Sequence, residues 1–339
     1  MKAEANNNVG AEGTRPLAIG SVALTGRAVL APMADVTDLP FRLLCREMGA
    51  SLAVTEMVSS YGLIYENEKT EILMNSAPGD RPLSVQIFGG DPAVMAEAAR
   101  RVEAEGADIV DVNMGCPVKK VACKGAGSAL LKEPALAGEI ISAMSNAVRI
   151  PVTVKIRSGW DAASVNAVDV ARTLEAAGAK AIGIHPRTRA QSYSGDADWS
   201  VTRAVQAAVR IPVLGGGDVF SGDAARRLVR ESGCAGVLVA RGAIGAPWIF
   251  RDIARGDVSM PTIEERLAVA IRHIDLLVEH VSWSVAQHRV RRHLMAYAKG
   301  FRGAAEFRTQ LFALKTPDDL KAATRAFFER TETASSEAA

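Results

Sequence analysis

The sequence predicts an α/β fold, a (β/α)8 TIM barrel followed by a small C-terminal all-helical domain. Eight short apolar runs alternate with longer Ala-rich amphipathic stretches, which is the order of elements in such a barrel. Hydrophobic residues make up 48% of the 339 residues and aromatic residues only 5%, a composition that suits closely packed α/β layers. Beyond about residue 260 only helical periodicity remains, which predicts a separate domain.

The predicted strands follow one another without an obvious hairpin. In order they are Ala28–Leu30, Leu52–Val54, Leu83–Ile87, Ile109–Val112, Val152–Ile156, Ala181–Ile184, Val213–Leu214 and Val237–Ala240. A repeat supports construction from equal units, because AVRIPV at 147–152 recurs at 208–213, 61 residues later. That distance is about two βα units, and each copy ends a helix before an X-Pro entry into a strand.

We predict four segments along the chain. Residues 1–15 are polar and form a disordered lead, 16–250 form the barrel, 260–330 the helical domain and 331–339 an unstructured tail. Thr262 to Glu265 matches a helix-capping sequence at the start of the helical domain.

Cysteine usage and hydropathy indicate where the protein works. The four cysteines form no CxxC pair and no ligand set with histidine, which predicts no bound metal. Without a secretory signal, a reduced cytoplasmic protein is favoured, and no run of 18 apolar residues predicts a membrane span. We also predict a monomer.

The net charge of +2 excludes no class of partner, so a nucleic-acid surface would depend on local clustering. One such cluster is residues 289–308, where aromatic and histidine side chains alternate with basic ones and Glu306 is the single acid. The basic residues are Arg289, Arg291, Arg292, Lys299, Arg302 and Arg308. A solvated helix face and a nucleic-acid surface both remain open for this segment.

The most informative segment is NMGCPVKK at residues 113–120, directly after the fourth predicted strand. Gly115 and Pro117 end that strand and force a turn. The turn presents the thiol of Cys116 at the face of the barrel where such enzymes carry out their chemistry, with two lysines close by. We therefore interpret Cys116 as a reactive residue rather than as a small buried side chain.

Other predicted strands carry residues suited to a planar, charged ligand. Pro32, Met33 and Ala34 follow the first strand and let such a ligand approach the backbone. Gln86 in the third strand can both donate to and accept from the edge of a heterocycle. Lys155 in the fifth strand is costly to bury unless it pairs with an anion or reacts, as a Schiff base or as a fixed charge near an anionic cofactor.

Phosphate binding is predicted at the ends of strands six to eight. His185, Arg187 and Arg189 follow the sixth strand, GGGD at 215–218 the seventh, and the glycine-containing turn 240–245 the eighth. Glycine-rich turns after the last two strands of a barrel expose N–H groups that favour an anion. No GxGxxG motif follows a strand, so a nicotinamide cofactor would come and go at the barrel mouth.

Together these motifs resemble the tRNA-dihydrouridine synthases, most closely their bacterial B-type branch. The motifs are APMADVTDLPFR (31–42), VQIFGGDP (85–92), NMGCPVKK (113–120), VKIRSGW (154–160), HPRTRAQSYSG (185–195), GGGD (215–218) and RGAIGAPWIF (241–250). They cover nearly the whole barrel, and RRHLMAYAKG (291–300) resembles the family's helical RNA-binding domain. The resemblance implies flavin-dependent reduction of a uridine in the tRNA D-loop to 5,6-dihydrouridine, and the branch suggests position 17.

The resemblance also implies a role for each site residue. FMN would be held by Pro32, Met33, Ala34, Gln86, Lys155, His185, Gly216, Gly217, Asp218, Ala240 and Arg241, and NADPH or NADH would reduce it. The tRNA would contact Asn113, Lys119, Lys120, Arg187, Arg189, Arg291, Arg292 and Lys299. Hydride would pass to uracil C6, and Cys116 would give the proton to C5, because a thiol is mostly protonated at neutral pH. On this interpretation the two lysines contact tRNA phosphates instead of activating the thiol.

Three positions depart from the family pattern. Gly216 stands where Asn is usual, and Ala240 and Asp35 stand where Gly is usual. Losing the Asn amide removes one hydrogen bond to the ribityl or phosphate group. Rival functions are an FMN barrel that acts on a free small molecule, a catalytically silent RNA-binding protein, and an aldolase with Lys155 as Schiff base. The basic helical domain argues against the first, and Cys116 argues against the other two.

Overall fold

The computed structural model describes residues 16–256 and 260–336, so the predicted disordered lead at 1–15 lies outside the described residues. The predicted barrel is confirmed. Its strands are β1 (Ala28–Leu30), β2 (Leu52–Val54), β3 (Leu83–Phe88), β4 (Ile109–Met114), β5 (Val152–Arg157), β6 (Ala181–His185), β7 (Val213–Gly215) and β8 (Gly236–Val239). Neighbours are parallel, and β8 pairs with β1, which closes the sheet.

Strands β3 to β6 extend one or two residues beyond the apolar segments from which they were predicted. In β4 and β5 the polar pair Asn113 and Lys155 stays in register, and Arg157 of β5 pairs with His185 of β6. Backbone pairing therefore continues after the hydrophobic pattern ends. As a result, the polar side chains lie on rigid strand ends and not on mobile loops.

A short antiparallel hairpin, Ala18–Ile19 with Val22–Ala23, was not predicted, because two-residue strands carry no periodicity. Its apolar neighbours Leu17, Ile19 and Leu24 are buried in one cluster with Ile109 and with the other residues at the starts of the strands. The hairpin thus covers the N-terminal end of the barrel and leaves the opposite end open.

A helix follows each strand. The barrel helices are α1 (Leu39–Glu47), α2 (Ser60–Ile64), α3 (Pro92–Ala104), α4 (Pro134–Ala147), α5 (Ala167–Ala176), α6 (Trp199–Ala208), α7 (Gly222–Ser232) and α8 (Ile249–Arg255). Side chains at several N-caps, such as Asp38, Asp91 and Ser221, accept a hydrogen bond from the first turn. The last helix carries the barrel to Arg255, five residues beyond the predicted boundary at 250.

The hexapeptide repeat has a structural cause. In the first copy, Glu103 Oε1 accepts hydrogen bonds from the backbone N–H groups of Arg149 (2.7 Å) and Ile150 (3.1 Å). In the second copy, Glu175 Oε1 accepts from Arg210 (2.7 Å) and Ile211 (3.0 Å). Glu103 lies near the end of α3 and its partners lead into β5, whereas Glu175 lies near the end of α5 and its partners lead into β7. The same pair of hydrogen bonds therefore fixes the backbone before both strands.

The helical domain contains α9 (Ile263–His280), α10 (Trp283–Tyr297), α11 (Ala304–Ala313) and α12 (Pro317–Ser336). The predicted cap is confirmed, because Thr262 and Glu265 form a reciprocal capping box. The final helix continues into the segment predicted as an unstructured tail, 331–339. Thr331 is buried there, and its hydroxyl donates to the carbonyl of Phe327 (2.9 Å) within the helix.

The two domains share one apolar core. Phe41 and Leu44 of α1 are fully buried in the same cluster as Ile274 of α9 and Leu294 of α10. Because burial of apolar surface is the main stabilising contribution to folding, this shared core holds the helical domain against the barrel. α10 thereby lies beside the loop after β1.

Candidate active site

A cavity of about 800 Å³ opens at the C-terminal ends of the strands, and every strand or its following loop contributes to its lining. This is the end at which barrel enzymes bind their ligands. The cavity brings together fourteen of the residues that the sequence singled out. They are Pro32, Met33, Ala34, Gln86, Asn113, Cys116, Lys155, His185, Arg189, Gly216, Gly217, Asp218, Ala240 and Arg241.

Asn113 fixes the loop that carries Cys116. Its Oδ1 accepts hydrogen bonds from the N–H groups of Gly115 (3.2 Å) and Cys116 (2.9 Å), so the side chain itself forms the turn. The carbonyl of Cys116 accepts a further bond from Ser128 N–H (3.2 Å). The backbone of Cys116 is thus held on both sides, while its partly exposed thiol lines the cavity.

A buried chain of hydrogen bonds sets the orientation of Asn113. Its Nδ2 donates to Gln86 Oε1 (2.8 Å), and Gln86 Nε2 donates to Asp111 Oδ2 (2.7 Å). Thr153 donates to the other oxygen of Asp111 (2.6 Å), and burial raises the pKa of that carboxyl group. Gln86 keeps one N–H and one lone pair for a ligand. Asp111 and Thr153 were not predicted, since nothing in an apolar run marks a lone acid as part of a network.

Lys155 lies in the cavity wall, where the buried Asp111 is close enough for its charge to act on the ammonium group but forms no ion pair with it. Among the described residues, none forms a hydrogen bond or an ion pair with its ammonium group. Burial, and then the neighbouring charge of Arg157, lowers its pKa to about 8. An unpaired cation at this place is suited to an anionic ligand, as its position in the sequence predicted.

Arg157 is the main residue that the sequence analysis missed. It is 3% exposed, and it donates from Nε to the carbonyl of Gly115 (2.8 Å) and from Nη1 to the carbonyls of Thr188 and Ser192 (2.9 Å each). It therefore links the Cys116 loop to the loop after β6. The available signal was its spacing of two from Lys155, which places both cations on the same face of β5.

His185 is a neutral hydrogen-bond acceptor in this site. Burial, and then the charges of Lys155 and the surrounding arginines, lowers its pKa to about 2. Its Nε2 lies 3.3 Å from Arg187 Nη1, and because a guanidinium only donates, the ring proton resides on Nδ1. The imidazole therefore adds no charge at neutral pH.

Arg187 does not have the exposed position expected of an RNA contact. It is 2% exposed and binds Asp218 with both nitrogens, Nη1 to Oδ1 at 2.9 Å and Nη2 to Oδ2 at 2.6 Å. Partial burial alone would raise the pKa of Asp218, but these hydrogen bonds and that from Ala197 N–H lower it. The geometry corrects the expectation: Arg187 orders the turn after β7 and leaves no guanidinium surface for a phosphate. Strand-end position indicates where a side chain starts but not which neighbour it reaches.

The two glycine-rich turns offer free donors. The N–H groups of Gly217 and Gly242 donate to no acceptor in residues 16–256 and 260–336, whereas Gly216 N–H donates to the carbonyl of Ile184 (2.9 Å). Gly217 has a φ of +90°, and Trp199 Nε1 holds its carbonyl at 3.1 Å. Of the two glycines predicted to bind phosphate here, Gly217 therefore has the available N–H group.

Arginine–aromatic contacts form the rim of the cavity. The Arg241 guanidinium lies 4.5 Å from the ring centre of Tyr193 and 5.5 Å from that of Phe220, and both rings are more than half exposed. Arg189 lies 4.6 Å from the ring of Trp160. Arg241 also lies 3.5 Å from Asp218 Oδ1, so the ring contacts and this ion pair together hold its guanidinium at the rim.

The remaining predicted RNA contacts differ from one another. Lys120 is exposed in the short helix Lys119–Ala122 that follows the Cys116 loop, and the side chain of Lys119 lies outside what the structure describes. Lys299 is exposed at the end of α10. Arg292 is exposed and donates to the carbonyl of Asp35 (3.0 Å). Arg291 is instead buried and donates to the carbonyls of Leu311 and Leu314 at 3.0 Å, so this expectation is corrected, because helical spacing turns adjacent residues to different faces.

The described residues contain neither a cluster arranged for a metal ion nor a helix suited to a membrane. Within residues 16–256 and 260–336, no group of three or more His, Cys, Asp or Glu side chains is arranged to hold a metal ion. No helix in those same ranges combines the length and the apolar character that a membrane crossing requires.

Comparison with known proteins identifies the family. A model of the dihydrouridine synthase (Dus) family matches residues 29–332. The tRNA-dihydrouridine synthase B of Pseudomonas aeruginosa is 43% identical over 315 residues, 91% of this chain and 95% of that protein. The protein of the same name from Xanthomonas axonopodis pv. citri is 39% identical over 316 residues, 92% of this chain and 95% of that protein.

A solved structure supports the fold alone. Histamine dehydrogenase from Rhizobium sp. 4-9 superposes with a TM-score of 0.55 at 14% identity, over 77% of this chain and 50% of that chain. The family model, in contrast, matches residues 29–332, and two of the relatives are 41–43% identical over 91% of the chain. The chain therefore belongs to the dihydrouridine synthase family.

Proposed function

We propose that this protein reduces a uridine in the tRNA D-loop to 5,6-dihydrouridine, with FMN as its bound cofactor and NADPH or NADH as the transient reductant. One observation carries the proposal: a thiol on a rigid loop, an unpaired lysine and free backbone donors face one cavity. Membership of the family implies a flavin, and the relatives' names point to tRNA as substrate. The resemblance of the motifs to the B-type branch suggests position 17 as the target.

The lining of the cavity fits FMN. The small residues from Ala31 to Ala34 suit a flat ring system, and a volume of about 800 Å³ suits a nucleotide-sized ligand. The free N–H groups of Gly217 and Gly242, with the Arg241 guanidinium, suit a phosphate. Lys155 would stabilise negative charge on the ring system. When bound, the flavin would supply the hydride that uracil C6 accepts.

Cys116 would hold the proton for uracil C5. Hydride addition at C6 is favourable because C5=C6 is conjugated to the C4 carbonyl, and the charge that develops must be neutralised at C5. The Asn113 side chain and the Arg157 bond to Gly115 keep the loop of Cys116 fixed. Such fixing matters because a proton donor must lie within hydrogen-bond reach of its acceptor.

The tRNA would bind across the cavity mouth and the helical domain. Arg189 and Lys120 are partly or fully exposed beside the mouth, and Lys299 is exposed directly after the C-cap of α10. A loop uridine is inexpensive to extrude from its stack, so it can enter the cavity. A cytoplasmic enzyme that acts as a monomer is the simplest form consistent with this substrate, and no step requires a metal.

A flavin enzyme that acts on a free small molecule and an RNA-binding protein without catalysis are the alternatives. We would purify the protein, record its absorbance for the band of oxidised flavin, and incubate it with NADPH and unmodified tRNA. Mass mapping of dihydrouridine in tRNA from a deletion strain then identifies the position. We expect a yellow protein and loss of one D-loop dihydrouridine. A colourless protein contradicts the cofactor assignment, and unchanged tRNA from the deletion strain contradicts the substrate.

A further inference from the structure

The loop after β1, which lines the cavity from Pro32 to Ala34, receives two arginines from the helical domain. Arg292 of α10 donates from Nη1 to the carbonyl of Asp35 at 3.0 Å. Arg289, one turn earlier on the same helix, donates from Nη1 to Asp38 Oδ2 at 3.0 Å. Both contacts join residues more than 250 positions apart, so they exist only when the domains are docked.

The loop needs an external partner because of its own conformation. Asp35 has a φ of +59°, a left-handed backbone that a residue with a Cβ adopts at a cost. Its N–H donates to Glu56 Oε2 at 2.6 Å, and Glu56 Oε1 lies 3.9 Å from Arg289. Glu56 is followed by Met57, which also lines the cavity. The arginine therefore reaches the loops after both β1 and β2.

The contact of Arg289 joins one cation to two buried acidic side chains. The side chains of Asp38 and Glu56 are 7% and 8% exposed, and burial raises the pKa of both, which the nearby Arg289 opposes. Asp38 Oδ1 is already used as the N-cap of α1, where it accepts from Phe41 N–H at 3.1 Å. Removing the guanidinium would take away the ion-paired cation of both buried groups and leave Asp38 with only the weaker influence of Arg42, and such a loss is unfavourable.

We propose that Arg289 and Arg292 are positioning residues through which the helical domain holds the loop 32–38 in the shape that binds the cofactor. The helical domain is thus part of the construction of the cofactor cavity as well as a candidate RNA surface. The part of this inference that concerns FMN rests on the proposed function. The part that concerns the loop conformation does not.

The test compares Arg289→Ala and Arg292→Ala with Arg272→Ala in the full-length protein. Arg272 of α9 pairs with Glu47 of α1 at 2.5 Å, so its removal also breaks an interdomain ion pair but leaves the loop untouched. The first measurement is hydrogen–deuterium exchange of the peptide that contains residues 33–38, without added cofactor. We expect exchange in Arg289→Ala to be faster by about tenfold and in Arg272→Ala to match the wild type.

The second measurement is the Kd for FMN, followed by quenching of flavin fluorescence. We expect Arg289→Ala to weaken binding about tenfold, with partial rescue in Arg289→Lys and a change below about twofold in Arg272→Ala. The double variant Arg289→Ala with Asp38→Asn should lose less than the two single losses combined, since Asn keeps the cap and removes the uncompensated charge.

The outcomes separate two failures. Unchanged exchange of residues 33–38 in both Arg289→Ala and Arg292→Ala would overturn the proposal that these arginines hold the loop. Faster exchange with an unchanged Kd for FMN would overturn the claim that this loop shape is needed for cofactor binding. If the wild-type protein binds no FMN, the proposed function fails, while the exchange data still decide whether the arginines hold the loop.

Discussion

Replacing Lys155 by Met should stabilise the free protein at neutral pH. The lysine is partly buried and forms no ion pair among the described residues, and burial and the charge of Arg157, opposed by that of Asp111, lower its pKa from 10.5 to about 8. A shift of this size corresponds to about 3 kcal/mol of unfavourable free energy for the charged form in the folded state. Because the side chain faces an open cavity, we expect about 2 kcal/mol of this to be recovered in Lys155→Met at pH 7.

The pH dependence follows from proton linkage. Between pH 8 and 10.5 the unfolded chain keeps the Lys155 proton while the folded chain has lost it, so the wild type gains stability as the pH rises through this window. Below pH 8 the group is charged in both states and the full penalty applies. The advantage of Lys155→Met should therefore be largest at pH 7 and should disappear near pH 10.5.

The assay is urea denaturation of the cofactor-free wild type and variant at several pH values, with Lys180→Met as the control. Lys180 is exposed, so its replacement should change stability by no more than about 0.5 kcal/mol at any pH. A Lys155→Met protein that is less stable than the wild type at pH 7, or a difference that does not depend on pH, would refute the reasoning. The same variant should bind FMN more weakly, because the cation is retained for the anionic cofactor.

The other predictions concern the thiol loop and the RNA surface. Asn113→Ala removes the acceptor for Gly115 and Cys116 N–H, so we expect kcat to fall about tenfold to a hundredfold while FMN absorbance persists; an unchanged kcat would dismiss the positioning role. Lys299→Ala should weaken tRNA binding and reduce the salt slope by about 1, as titrations at several salt concentrations would show. Arg291→Ala should instead lower the melting temperature, because its bonds to Leu311 and Leu314 are internal; a loss of tRNA affinity without destabilisation would contradict this.

The hydrophobic pattern predicted the barrel well because strands buried on both faces appear as continuous apolar runs. β1 and β2 have the predicted ends, and Lys155 was correctly expected to be an unusual buried cation. The pattern could not show where the strands with polar ends stop, because backbone pairing continues through Asn113 and His185 after the apolar run has ended.

Side-chain partners were the harder problem. The sequence shows that Arg187, Arg291 and Arg292 are cations, but not that the first two are internal and that the third contacts the backbone of Asp35. A charge needs a partner in space, and that partner comes from a distant part of the chain. The same reason explains why Arg157 was overlooked although its strand was identified.

The most direct test of the account is single-turnover reduction of unmodified tRNA by the Cys116→Ala protein loaded with reduced FMN. Flavin binding and tRNA affinity should match the wild type, because the Cys116 side chain makes no hydrogen bond within the described residues. Dihydrouridine formation should fall by about 10² to 10⁴, the usual contribution of a positioned proton donor. An unchanged rate of formation would contradict the central claim that Cys116 delivers the proton to the uracil.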